Sequence, residues 1–345
     1  MFYEASDNDH KHGSFSEVRQ DLVSGDWVVI ATGRAKRPHD FLQEGKKAFR
    51  QPKRTCPFEN LHENALLSLS LGAERGKNIK PWVKVVVNKF PAFQRGVCSI
   101  FHKTGPYQWT DGVGQHEVVI TRDHERSLGQ MADLEAELAV RAYQERYRAI
   151  KQDECVRYIS IFHNHGRGSG ATLSHPHSQI IGIPVIPSDI ARSIRGSAVY
   201  YEEHKECVHC VMLKFEKNDK KRLIYENDHF LVFAPFASRL AFEIRIYPKN
   251  HVSHFEDASE AEIVSVANAL RVSLGKIFKG LNNPDYNFFL HTSPIDKLNS
   301  FRHYHWHFEI LPKTSIWAGF EIGTGIEIST ITPENAAEFL RNIKV

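Results

Sequence analysis

The sequence predicts an α+β protein made of two copies of one fold, each copy a mostly antiparallel sheet with one long helix. Two observations carry that prediction. Up to Pro187 the segments follow the order strand, strand, helix, strand, loop, strand, and the same order returns after Ser188. Histidines also fall at matching places: His124 and His175 are 51 residues apart, and His251 and His305 are 54 apart. A repeated order at a long period marks a duplication. The boundary is expected near residues 190–205, giving an N-terminal unit of residues 1–195 and a C-terminal unit of residues 196–345.

Each element has a local cause. DLVSGDWVVI, from Asp21 to Ile30, reads as a strand entered through a Ser-Gly-Asp turn, and the basic stretch GRAKRPHDF follows it. A charged, proline-broken region runs to about Lys80. PWVKVVVNKFPAF is β-branched, and HEVVITRDH is a short strand ending at His124. Leu128 to Ile150 lacks Gly-Pro breakers after its first turn and spaces Leu134, Leu138, Val140 and Tyr143 as a helix does. VRYISIFHNHG is a strand, a loop with Gly166, Gly168 and Gly170 follows, and SHPHSQIIGIPVIP is extended. In the second copy LIYENDHFLVFAPFA, FEIRIYPKNH, ASEAEIVSVANALRVSLGKIF, YNFFLHTSP and RHYHWHFEILP match these segments in turn.

Composition excludes whole classes. With 345 residues, 41% hydrophobic and 25% charged, the chain can bury a core and is not disordered. No apolar run approaches the roughly 20 residues of a membrane span, and the polar start is unlike a signal peptide. The expectation is a soluble, cytoplasmic protein with no membrane partner. A net charge of +3 gives no electrostatic warrant for a nucleic-acid groove. Five cysteines do not make a disulfide scaffold, and Cys207-Val208-His209-Cys210 points to metal or redox work. Twenty histidines are the compositional anomaly.

His175-Pro176-His177-Ser178-Gln179 is the sharpest signal. On a strand, alternate residues share a face, so His175, His177 and Gln179 line up. A neutral imidazole is a nucleophile toward phosphorus when its other nitrogen is held by a hydrogen bond. The preceding loop, Asn164 to Thr172, suits phosphate: its glycines let backbone N–H groups approach, and Ser169 and Thr172 add hydroxyls.

HPHSQ after a glycine loop resembles the active-site motif of the galactose-1-phosphate uridylyltransferase family, the transferase branch of the histidine triad superfamily. Gly319-Phe320-Glu321-Ile322-Gly323-Thr324-Gly325 resembles the branch shared with ADP-glucose phosphorylase-like proteins, and Gly25-Asp26-Trp27 with Arg34-Ala35-Lys36-Arg37-Pro38 resembles the family's opening block. The resemblance implies two histidine-triad-type units. It places His177 as the nucleophile that takes a nucleotide from a nucleoside-diphosphate sugar, and Gln179 where hydrolase members carry a third histidine. A neutral amide binds phosphoryl oxygens but is a poor proton donor, which fits an intermediate that waits for an acceptor other than water. By the same resemblance Asn164 and Gly170 lie near the nucleotide phosphates, Asn88 at the nucleoside, and Phe320 and Glu321 at the sugar; Arg34 and Arg37 are candidates for phosphate contacts, or else solvated charges after a strand. Lys89 stands where many members have Asp, and Glu327 where uridylyltransferases have a hexose-contacting glutamine.

The resemblance also implies zinc. One site would use Cys56, Glu59, His124 and His175, with Glu59 replacing the family's second thiolate and His62 as a substitute ligand. The residues themselves suggest a second zinc set: the Cys207 and Cys210 knuckle with His251 and His305, the repeat counterparts of His124 and His175, two thiolates and two imidazoles that make a closed tetrahedral structural site. The family's carboxylate-and-histidine metal site in this half loses its carboxylate to Ser193. His307 and His291 are expected to be structural or to serve the sugar site, because no glycine loop precedes His307. The expected activity is nucleotidyl transfer from a nucleoside-diphosphate sugar to a sugar 1-phosphate, with UDP-glucose and galactose 1-phosphate foremost. The alternatives are ADP-glucose phosphorylase-type adenylyl transfer to phosphate and a non-catalytic nucleotide-sugar sensor. A homodimer is what the family implies.

Overall fold

The structure, a computed structural model, describes residues 16–31, 33, 41, 49–59, 61, 65–71, 80–98, 100–295 and 301–345. In the first half, strands β1 (Glu17–Gln20), β2 (Trp27–Ile30), β3 (Leu67–Leu69), β4 (Val83–Val87), β5 (His102–Thr104), β6 (Tyr107–Trp109) and β7 (Gln115–Thr121) precede helix α1 (Asp133–Ile150). Strands β8 (Tyr158–His165) and β9 (His177–Ile183) close that half. Helices α2 (Ser188–His204) and α3 (Val208–Asp219) then lead to β10 (Leu223–Glu226), β11 (Phe230–Phe233), β12 (Ile244–Pro248) and helix α4 (Glu260–Gly280). Strands β13 (Tyr286–His291) and β14 (His307–Pro312), helix α5 (Gly319–Thr324), strand β15 (Glu327–Ser329) and helix α6 (Pro333–Asn342) complete the chain. The expected boundary at residue 195 falls inside α2.

The α+β class is as the sequence predicts, with one difference in the sheets. Instead of two separate sheets there is one of ten strands, in the order β10-β11-β12-β14-β13-β8-β9-β7-β4-β3. From the central β13–β8 seam outward, the two arms carry matching strands in the same order. The seam is an antiparallel ladder, with Tyr286 opposite His165 and Phe289 opposite Phe162. Pairing the two inner edges removes exposed strand edges that would otherwise invite association.

Helices α1 and α4 lie side by side on one face, and one apolar cluster runs beneath both. The buried stripe of α1 is Ala136, Val140, Tyr143, Tyr147 and Ile150, a three-four spacing that keeps one face on the sheet. Leu134, expected in that stripe, is 48% exposed. The helix begins only at Asp133, after a separate 3-10 turn at Leu128–Gln130, so Leu134 sits in its first turn on the outer side. Helix α4 starts with a capping box, Ser259 Oγ accepting from Glu262 N at 3.3 Å and Glu262 Oε2 accepting from Ser259 N at 2.8 Å.

The N-terminal hairpin is anchored to the second half by charge. Arg245 on β12 donates to Asp21 Oδ2 at 2.9 Å. Burial alone would raise the Asp21 carboxyl, but Arg245 and the N–H groups of Ser24 and Val23 hold it down at about 2. A depressed carboxyl stabilises the fold above its unfolded pKa and loses that contribution as pH falls through the folded value. Asp21→Asn is therefore expected to lower stability by about 2 kcal/mol at pH 7. Urea titrations of both proteins should show the gap shrinking as pH falls from about 4 toward 2; a pH-independent gap would refute the linkage.

Candidate active site and metal clusters

Strand β9 sorts its side chains by alternation. Ser178 and Ile180 are buried toward α1, so His177 and Gln179 stand on the opposite, open face. Below the strand, the Tyr143 hydroxyl lies 2.6 Å from Ser178 Oγ, which is 3.1 Å from His163 Nδ1. That buried chain pins β9 from behind. His177 donates Nδ1–H to its neighbour's carbonyl, His175 O, at 2.8 Å. Burial pushes the imidazole below its ordinary pKa, so the ring is neutral and Nε2 carries the lone pair. The Phe58 ring packs against it at 5.1 Å.

The glycine loop is shaped from the second half of the chain. Asp285 Oδ2 accepts from Gly168 N at 2.6 Å. Gly166 has φ +80°, and a Cβ there would lie 1.7 Å from Asp285 Oδ1, so only glycine fits. Gly170 also has a left-handed backbone, φ +91°. Ser169 departs from expectation: its hydroxyl donates to Gly166 O at 2.7 Å and closes the turn instead of facing a ligand. The Thr172 carbonyl accepts from Gln51 Nε2 at 3.3 Å.

Three amides converge on the open face, and each has its oxygen engaged by the protein. Asn88 Oδ1 accepts from Phe90 N at 2.9 Å. Asn164 Oδ1 accepts from Asn287 Nδ2 at 2.7 Å. Gln179 Oε1 lies 2.8 Å from His116 Nε2. The register opposes His163 to Ser178, which brings Asn164 alongside His177. Similarly Val118 faces Gln179 and Ile120 faces His177 across β7 and β9. With the oxygens occupied, the NH₂ groups remain as donors, a lining suited to an anion.

The remaining predicted residues are placed less closely. Arg34, Arg37 and His62 lie outside the described residues. Phe320 and Glu321 sit on α5, next to β15 of the small β1-β2-β15 sheet and not on the large sheet. Phe320 is exposed, and Glu321 Oε2 accepts from Ala318 N at 2.9 Å, capping its own helix. A cavity of about 640 Å³ lies behind the glycine loop, lined by Arg126, His163, His165, Arg167 and Asp285 but not by His177 or Gln179.

Two predicted ligand sets assemble. Cys56, His124 and His175 present their donor atoms within 4.8 Å of one another. His124 Nε2 lies 2.8 Å from Gln51 O, and His175 Nε2 lies 2.7 Å from Thr121 O. Those carbonyls fix both outer nitrogens as N–H, so both Nδ1 lone pairs turn inward, 3.1 Å apart. Glu59 Oε1 is 2.9 Å from His124 Nδ1. Two facing lone pairs beside a thiol and a carboxylate make a donor set that could hold a cation. The donor set fits a metal despite the missing second cysteine.

In the second set, Cys207, Cys210, His251 and His305 likewise lie within 4.8 Å of one another. Cys210 Sγ is 3.3 Å from His251 Nδ1 and 3.9 Å from His305 Nδ1. The Cys210 thiol and then the two imidazoles pull the Cys207 thiol well below its ordinary range. Two sulfurs and two nitrogens gathered at the start of α3 are the donor types of a closed tetrahedral site.

The repeat counterpart of His177 is enclosed. His307 repeats the lock, Nδ1 to His305 O at 3.1 Å, but is buried and stacked on Tyr247 at 4.3 Å. Its Nε2 faces Glu309 at 3.4 Å, the repeat counterpart of Gln179. Arg239 and Arg245 both pair with Glu309. The site is a buried ion cluster built around His307 and Glu309. His291, His307 and Glu309 also approach one another, but the two guanidiniums make the cluster a poor host for a cation.

Sequence reasoning missed three residues of the site and one disulfide. His116 was visible in principle, because alternation from Ile120 and Val118 puts it on the reactive face. Asp285 and Asn287 come from the far half and carry no local signal. The Cys98–Cys155 disulfide, across 57 residues, ties the segment after Asn88 to the α1–β8 turn, and spacing alone did not pair them. No described helix is long and apolar enough to cross a membrane.

Residues 4–187 match a family model for galactose-1-phosphate uridyl transferase, N-terminal domain, and residues 112–343 match a domain of unknown function, DUF4921. An ADP-glucose phosphorylase of Arabidopsis thaliana is 34% identical over 344 residues, 98% of this chain and 96% of that protein. A galactose-1-phosphate uridylyltransferase of Thermotoga maritima is 30% identical over 339 residues, 95% of this chain and 99% of that one. A crystal structure of an ADP-glucose phosphorylase from Arabidopsis thaliana with bound ADP-glucose superposes with a TM-score of 0.78 at 31% identity, covering 96% of this chain and 99% of that one.

Proposed function

Because the chain belongs to the galactose-1-phosphate uridylyltransferase family, we propose that it moves a nucleoside monophosphate from a nucleoside-diphosphate hexose to a phosphate-bearing acceptor through a covalent intermediate on His177. The observation that carries the reading is the tautomer of His177. With Nδ1–H held by His175 O at 2.8 Å, the Nε2 lone pair is free to attack the α-phosphorus. The N–P bond forms as the P–O bond to the β-phosphate breaks, and the hexose 1-phosphate leaves as an anion. The ring becomes an imidazolium that keeps Nδ1–H. A phosphate oxygen of the acceptor then attacks phosphorus, the N–P bond breaks, and the neutral ring returns.

No proton needs to reach the leaving group, because a phosphate ester anion is a good one. That supports Gln179 as a hydrogen-bond donor to the phosphoryl oxygens and leaves no task for a general acid. The Asn164 amide offers a further donor to the same charge, whereas the N–H groups of Gly168, Ser169, Gly170 and Ala171 are spent within the loop and on Asp285; Asn88 is assigned to the nucleoside.

Two substrate pairs compete. The sequence puts UDP-glucose with galactose 1-phosphate first. We favour ADP-glucose with inorganic phosphate, on the 34% identity over nearly the whole chain to an ADP-glucose phosphorylase and on Glu327, which replaces the uridylyltransferase glutamine. UDP-glucose with galactose 1-phosphate is the second reading, supported by the relative at 30% identity. The test crosses both labelled donors with both acceptors. Transfer from ADP-glucose to phosphate is expected; transfer only from UDP-glucose to galactose 1-phosphate would reverse the order, and no transfer from either donor would overturn the activity.

Donor chemistry favours zinc in both clusters. Bound there, zinc supplies a cross-link: Cys207, Cys210, His251 and His305 would join the start of α3 to the ends of β12 and β14. Cys56, Glu59, His124 and His175 would join the segment before β3 to the strand that presents His177.

A further inference from the structure

We propose that His116 is a positioning residue that fixes which way the Gln179 amide faces, and so turns its NH₂ group toward the phosphoryl oxygens. The proposal rests on the reading of His177 as nucleophile and deepens it. It follows from counting one proton. Ala92 N donates to His116 Nδ1 at 3.1 Å. A backbone N–H has no other role to play, so Nδ1 carries a lone pair and the proton of the neutral ring is on Nε2.

Nε2 has two neighbours, Gln179 Oε1 at 2.8 Å and Asn88 Nδ2 at 3.0 Å. The Asn88 amide has its oxygen committed to Phe90 N, which leaves Nδ2 a donor. Donor cannot serve donor, so Nε2–H goes to the Gln179 oxygen. Were the Gln179 amide reversed, its NH₂ would oppose Nε2–H, and its oxygen would face an incoming phosphate. Both contacts would be repulsive. Burial, which pushes His116 below the usual imidazole range, keeps the ring in the neutral form that this scheme needs.

Register places the whole device on the reactive face. His116, Val118 and Ile120 alternate along β7, and Ile120 and Val118 face His177 and Gln179. The backbone of Asn88 is tied to the same residue, its N–H donating to His116 O at 2.8 Å. His116 thus orders two amides without touching the substrate.

The measurement is single-turnover labelling of His177 with ADP-glucose and with UDP-glucose, in parallel with a melting curve for each variant. His116→Leu is expected to slow labelling by about 100-fold, the usual cost of losing one oriented donor, with a melting temperature near wild type. His116→Gln, whose amide reaches the Gln179 oxygen, should recover most of the rate. In a Gln179→Ala background His116→Leu should cost nothing further, because the two residues act as one unit.

Labelling by His116→Leu at the wild-type rate, or a full additional loss in the Gln179→Ala background, would overturn the role of His116 while leaving the nucleophile reading intact. If Leu proves unstable, the Gln variant decides alone: a rate as low as that of Gln179→Ala overturns the proposal. A wild type that neither donor labels overturns both.

Discussion

Replacing His177 with alanine is expected to lower nucleotidyl transfer by about 10⁴-fold or more, the scale seen when a covalent nucleophile is removed. The variant should nevertheless fold and bind its nucleotide sugar. His177 contributes one hydrogen bond to its own strand, at 2.8 Å to His175 O, whereas β9 is held by two ladders and by the Tyr143–Ser178–His163 chain beneath it. The donors proposed for the phosphates, on Gln179 and Asn164, remain. The check is a pair of measurements on one preparation: acid-labile nucleotide on the protein, which should vanish, and nucleotide-sugar affinity by calorimetry, which should change by only a few-fold. Labelling that persists in the alanine variant would place the nucleophile elsewhere.

The second large effect is on stability. Cys207→Ala is expected to remove one zinc per chain and to destabilise the protein by on the order of 5 kcal/mol, part of the about 10–16 kcal/mol that structural zinc contributes in small zinc-dependent domains. Here the metal would reinforce an existing core, which is why the smaller figure applies. Cys207 and Cys210 lie at the N-terminus of α3, His251 follows β12, and His305 precedes β14. Losing the shared ion frees three segments at once. Elemental analysis and a urea midpoint measure both consequences. An unchanged midpoint, or purified wild type free of zinc, would refute the structural role. The effect is expected to be one of fold more than chemistry, because β14 belongs to the arm of the sheet opposite His177.

The duplicated chain shows how two copies of one motif come to stand in different surroundings. His177 and His307 share the same backbone lock, so local sequence prepares both rings alike. They differ in what lies in front of Nε2. At His177 the neighbour two residues on is a neutral amide turned outward; at His307 it is the buried Glu309 carboxylate, clamped by Arg239 and Arg245. An imidazole facing an ion cluster in the interior has no path to a phosphorus atom.

Much of this was legible in the residues. Period-two alternation identified the faces of β9, cysteine and histidine spacing pointed to the candidate ligand set of the second half and family resemblance to that of the first, and repeated element order identified the two arms of the sheet. These signals survive in sequence because each rests on contacts within one segment or on residue types that few other roles require. The start of α1 was misread because the 3-10 turn at Leu128–Gln130 continues the apolar spacing of the helix behind it. Ser169 was misassigned because a hydroxyl beside glycines serves a turn as readily as a phosphate.

The sequence by itself determined the fold class, the nucleophile candidate His177 with Gln179 beside it, and eight metal-ligand candidates. Tertiary structure alone decided that the two sheets fuse at β8 and β13, that Asp285 and Asn287 of one arm shape the glycine loop of the other, and that His116 stands over Gln179. The physical reason is the same in each case. A hydrogen bond between residues 63 or 123 positions apart depends on the register of strands that are not neighbours in the chain, and no local pattern encodes that register.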